Sequence, residues 1–164
     1  MRGQGTVFYF HRNGSSRSLN ATGVTALLTH ELERLKWDVL GLAETRWTGV
    51  PESMIRGYKI ISSGKASEHR SGVAILLAKT AQNALMSYKP VSDRLLTARF
   101  RTSTGAVSIM QVYAPTADAD DADMEEFYGT LQREINNSPK SDQLVVMGDF
   151  NAKVGTGRDA EVGS

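Results

Sequence analysis

Apolar and polar positions along this chain follow two periods, and the switches between them mark its elements. From 23 to 37, Val24, Leu27, Leu28, Leu32 and Leu35 recur at helical spacing with polar residues between them, which predicts an amphipathic helix. Short apolar runs bounded by turn residues then predict strands: DVLGLAE (38–44), YKIISS (58–63), GVAILLA (72–78), RLLTARF (94–100) and VSIMQVY (107–113). Helical period returns over 121–137 through Met124, Phe127, Tyr128, Leu131 and Ile135, and QLVVMGD (143–149) closes the series as a strand. Residues 5–10 predict one more short strand, followed by a turn at Asn13-Gly14. No repeat, low-complexity tract or linker interrupts the series, so the expectation is one domain of mixed α/β type.

Composition narrows the chemistry. The 164 residues are 40% hydrophobic, enough for one domain with a real core. There is no cysteine, which removes disulfides and thiolate metal sites and leaves oxygen or imidazole as metal ligands. The start, MRGQGTVFYFHRNG, holds too short an apolar stretch for a signal peptide, and no window approaches a membrane span. The expected protein is soluble and intracellular, nuclear or cytoplasmic, with no membrane partner. Without a secretory signal, Asn20-Ala21-Thr22 is a chance match to a glycosylation acceptor. A net charge of +1 argues against a strong overall attraction to nucleic acid but leaves room for a local one. The acidic run from 118 to 126 reads as the N-terminus of a solvated helix, where carboxylates interact well with the helix dipole.

The strand ends carry the chemistry. Glu44 follows VLGLA, Tyr113 follows VSIMQV, and Asp149 and Asn151 follow LVVMG. Each has an ordinary reading: Glu44 as a turn residue or a partner for Arg46, Tyr113 as packing before Ala-Pro, Asp149 and Asn151 as turn formers. Their joint occurrence points further, because strand C-termini are where α/β sheets place ligand sites. A Glu and an Asp on one rim form a hard-oxygen site suited to Mg²⁺ or Mn²⁺, which a phosphate would complete. The pattern predicts that all four cluster at one rim of a single, mostly antiparallel or mixed sheet, with the two helices on one face.

Four motifs occur in order: WDVLGLAETRWTG (37–49), SGVAILL (71–77), QVYAPT (111–116) and GDFNAKVG (148–155). Together they resemble the endonuclease/exonuclease/phosphatase superfamily, and within it the apurinic-endonuclease-like domains of non-LTR retrotransposons and the derived craniofacial development protein 2 group. The resemblance covers about Ala21 to Gly155. It implies a four-layered α/β sandwich, only part of which this chain would build, and divalent-metal-dependent hydrolysis of a DNA phosphodiester. By resemblance, Glu44 is the metal ligand, Tyr113 contacts the scissile phosphate, Asp149 orients or deprotonates the attacking water, and Asn151 holds the phosphate and that Asp. Phe150 then points away from the site, by the alternation of a strand.

The chain also departs from that pattern. The family's first strand ends in an Asn-containing motif of the type GTWNVR, whereas Gly5-Thr6 here is followed by VFYFHRNGSSRSLN. The expectation is therefore a divergent, poorly packed segment over 1–20 and a truncated domain over 21–164. The family's later Asp motif and its Ser-Asp-His motif have no counterpart before Ser164, and His11, His30 and His69 sit in a loop, a helix and a polar turn. On that reading the chain is inactive alone, a remnant with at most weak affinity for metal or nucleic acid. It would expose an apolar sheet face that invites self-association. A phosphatase of small phosphoesters shares the fold, but ETRW and VYAPT resemble the DNA-cleaving branch.

Overall fold

The computed structural model describes residues 8–11, 37–45, 52–63 and 72–151. In chain order these form β1 (Phe8–His11), β2 (Val39–Ala43), β3 (Glu52–Ile55), β4 (Tyr58–Ser63), β5 (Val73–Leu77), α1 (Lys79–Ala84), β6 (Leu85–Ser92), β7 (Leu95–Thr102), β8 (Gly105–Tyr113), α2 (Asp121–Asn137) and β9 (Gln143–Asp149). The helix expected over 23–37 lies outside the described residues except at Trp37, as does most of 1–20. Within 1–20, β1 is a defined strand, paired parallel to β2 with Phe8 opposite Val39 and His11 opposite Leu42. His11, expected in a loop, is the last residue of that strand.

The strands form two sheets rather than the single sheet expected. The first has the order β1-β2-β5-β4-β3 and the second β6-β7-β8-β9. Most pairings are antiparallel; β1 with β2 and β8 with β9 are parallel. The β8–β9 pair needs a crossover, which α2 supplies. This helix starts at the N-cap Asp120, whose side chain accepts a hydrogen bond from the Asp123 amide, with Asp121 and Asp123 in the first turn. The acidic run is thus a helix start, as its composition implied.

The alternation of each strand explains how the sheets stack. Inner-face residues Val39 and Ala43 of β2, Val73, Ile75 and Leu77 of β5, and Val107, Ile109 and Tyr113 of β8 share one core cluster with Met147 of β9. The even-numbered positions of β8, Met110 and Val112, face the other way and pack against Phe127 and Leu131 of α2. Helix and sheet therefore cover one another on the outside while the sheets cover one another inside. This corrects the expectation of a bare apolar face and removes the basis for self-association through it. Val73, Ile75 and Leu77 of β5 and Ile109 of β8 are 0% exposed, because the two sheets of the chain cover one another there, while Ala74 and Leu76 face the other way and pack with Trp37, Leu40, Leu42 and Ile60. The large hydrophobic side chains that remain exposed among the described residues, Met54, Met86, Tyr128, Leu144 and Phe150, are scattered. No helix of the described residues is long and apolar enough to cross a membrane.

Candidate active site

Three strand ends meet at one edge of this sandwich. Tyr113 ends β8 in parallel register with Asp149, the last residue of β9, and the Ala114 amide donates to the Asp149 carbonyl at 2.8 Å. From the opposite sheet comes Glu44, directly after β2. Strict alternation would send its side chain to the outer face with Leu40 and Leu42. Instead Glu44 has φ +59°, so the strand ends there and the carboxylate turns inward. Its Oε1 accepts a hydrogen bond from the Tyr113 hydroxyl at 3.0 Å, across the two sheets. Arg46, the partner suggested by proximity in sequence, lies outside the described residues.

The turn after β9 is built around the Asp149 carboxylate. Gly148 has φ +145°, and a Cβ there would stand 2.0 Å from the Val112 carbonyl oxygen, so only glycine lets β9 lie this close to β8. The Asn151 amide donates to Asp149 Oδ1 at 2.9 Å, and Asn151 Nδ2 donates to the Ala114 carbonyl at 2.7 Å. Asn151 has φ +46°, a conformation asparagine tolerates better than most residues. Phe150 between them is 37% exposed while Asp149 and Asn151 are half-buried, as alternation implied. The rim thus brings together all four residues singled out in the sequence.

Burial, then the hydrogen bond to Glu44, and then the charges of Glu44 and Asp149 push the Tyr113 hydroxyl above its usual pKa. It is therefore a neutral phenol, and a donor, throughout the physiological range. Arg94, which no sequence pattern marks, supports the ring. Its guanidinium carbon lies 5.2 Å from the Tyr113 ring centroid, Nη1 donates to the Tyr113 carbonyl at 3.3 Å, and its own carbonyl accepts from the Tyr113 amide at 2.9 Å. Asp93-Arg94 is the turn between β6 and β7. Lying outside every family-like motif, it carried no sequence signal. Among the described residues no group of three or more His, Cys, Asp or Glu side chains is assembled as a metal cage. The donors at the rim are carboxylate, phenol and carboxamide oxygens from Glu44, Asp149, Tyr113 and Asn151. Such a set fits a hard cation that keeps several waters and takes one or two protein carboxylates.

Comparison with known proteins identifies the family. The pattern described as the Endonuclease/Exonuclease/phosphatase family matches residues 7–160. Craniofacial development protein 2 of Bos taurus is 36% identical over 140 residues, which are 85% of this chain and 24% of that protein. The chain thus spans about a quarter of the length of the curated relatives it matches. Among solved structures, the endonuclease domain of TRAS1, a telomere-specific non-LTR retrotransposon, aligns with a TM-score of 0.60 at 17% identity, covering 88% of this chain and 60% of that one. The 3′ phosphatase NExo from Neisseria, bound to product DNA hairpin, aligns at 0.55 with 21% identity, covering 87% and 56%. At these identities the structural likeness concerns the fold. With the family pattern running through β1 to β9 and the two facing sheets in place, this chain belongs to the Endonuclease/Exonuclease/phosphatase family.

Proposed function

We propose that this domain hydrolyses a phosphodiester of DNA with a divalent cation, Mg²⁺ or Mn²⁺, held at the rim where β2, β8 and β9 end. The observation that carries this reading is the contact between Tyr113 and Glu44, made across two sheets beside Asp149. Glu44 would hold the cation, whose chemistry is to neutralise phosphate charge and stabilise the leaving oxygen. Asp149, fixed by the Asn151 amide, orients a water and takes its proton. Tyr113 has one proton to give. In the free chain it goes to Glu44, and a non-bridging phosphate oxygen would compete for it. Asn151 spends its Nδ2 on Ala114, so its first duty is to hold the turn that aims Asp149.

DNA as the substrate class is supported by fold neighbours that include a retrotransposon endonuclease domain and a phosphatase bound to a DNA hairpin. The test is Mg²⁺-dependent nicking of supercoiled DNA by the chain and by its Glu44→Gln and Asp149→Ala variants. Nicking that falls by about 10²-fold or more in both variants is the expected result. Nicking retained in both would overturn the assignment of the site. If all three proteins are inert while the chain still binds Mn²⁺, it is the non-catalytic metal-binding form.

A further inference from the structure

One buried polar side chain near the rim is not used by the proposed chemistry. Gln111 lies on the inner face of β8, two residues before Tyr113, and is 0% exposed. Its Nε2 donates to the Leu42 carbonyl of β2 at 3.2 Å, and Leu42 lies two residues before Glu44. Its Oε1 is buried with no hydrogen-bond partner. Facing it is Gly41, where a Cβ would stand 2.0 Å from that oxygen. The orientation is forced: turning the amide over would set one carbonyl oxygen against another.

We infer that Gln111 is a positioning residue, whose amide, seated over Gly41 and tied to Leu42, fixes β2 against β8 one step below the Glu44–Tyr113 contact. The inference rests on the proposed function only where it concerns the metal. Apolar contact between the sheets is non-directional and leaves their relative slide free. A hydrogen bond from one strand to the other removes that freedom at the layer where it matters, since Gln111 and Tyr113, and Leu42 and Glu44, are each two residues apart. Two other side-chain bonds between the sheets, Tyr88 to Glu52 and the Ser63 hydroxyl to the Ser92 carbonyl, join β6 to β3 and β4 and leave β2 and β8 untied. A methionine would fill the same volume without burying an unsatisfied oxygen, so this amide works against stability. Gly41 completes the device by leaving the room the amide occupies.

A metal-free thermal cycle tests it on the full chain: wild type, Gln111→Met, Tyr113→Phe and the double variant. If Gln111 sets the Glu44–Tyr113 contact, the loss of Tm caused by Tyr113→Phe shrinks by about half or more in the Gln111→Met background. Losses that simply add, or no loss from Tyr113→Phe in the wild-type background, overturn the inference. Should Gln111→Met fail to fold, Gln111→Asn, which keeps the polarity but shortens the reach, takes its place with the same criteria. The second readout is Mn²⁺ affinity by electron paramagnetic resonance. Gln111→Met should weaken binding about 10-fold or more while its own Tm holds or rises. Wild-type binding that depends on Glu44 but is unchanged in Gln111→Met contradicts the inference. A wild-type chain that binds no Mn²⁺ contradicts the metal reading alone, because the thermal cycle contains no metal.

Discussion

Glu44 shows what a single residue contributes that no pattern reveals. Its identity at the end of an apolar strand was legible, but periodicity alone would have aimed it away from Tyr113. The left-handed backbone at φ +59° redirects it, and such a conformation costs a non-glycine residue about 1–3 kcal/mol. Gln111 and Arg94 were illegible for a different reason: each looks like an ordinary strand or turn residue until the opposite partner is known. Gly148 permits a direct test at this scale. Gly148→Ala must place its Cβ against the Val112 carbonyl, now 2.0 Å from that position, at a φ alanine disfavours. We expect a loss of about 2 kcal/mol or more in urea denaturation. A change within about 0.5 kcal/mol would mean that β9 does not approach β8 this closely.

At the level of elements, legibility followed length and burial. The helix expected over 121–137 is α2 residue for residue, because four turns of apolar period are hard to mistake. YKIISS and QLVVMGD are β4 and β9 with the same bounds. β3, α1 and β6 were missed. ESMI is four residues long and half exposed, KTAQNA is too short to show a period, and LMSYKPVS is an edge strand carrying Lys89 and Pro90. Asp120 supplies the element-scale prediction. Its side chain caps α2 through the Asp123 amide at 2.8 Å, so Asp120→Ala should lower stability by about 1 kcal/mol in thermal unfolding. Asp120→Ser, which can accept the same bond, should recover most of it.

For the molecule as a whole, the alternation within each strand was legible but the number of sheets was not. A run of apolar residues states that both faces are buried without saying by what. The second sheet, supplied by β6–β9, is what closed the face expected to be bare. One polar cluster ties that sheet to the segment entering β9. Arg99 donates to Asp142 through Nε at 2.6 Å and Nη2 at 2.8 Å, and the Ser108 hydroxyl adds a bond of 2.8 Å. The Arg99 guanidinium first, and then Ser108, hold the Asp142 carboxyl well below its usual 3.8, at about 2. The folded state therefore favours the carboxylate. Its contribution is fully present above pH 3.8 and is lost as pH falls toward 2. Tm measured across that window should drop more steeply for the wild type than for Asp142→Asn, and parallel curves would contradict the assignment.

On the proposed function, two facing sheets deliver Glu44, Tyr113, Asp149 and Asn151 to one metal-assisted site. An anomalous difference map from crystals soaked in Mn²⁺ tests it most directly. A peak at the Glu44 carboxylate, on the side of the rim shared with Asp149 and Tyr113, is the expected result. A map with no peak at Glu44, or with its strongest peak at the exposed acids around Asp121 and Asp123, would contradict it.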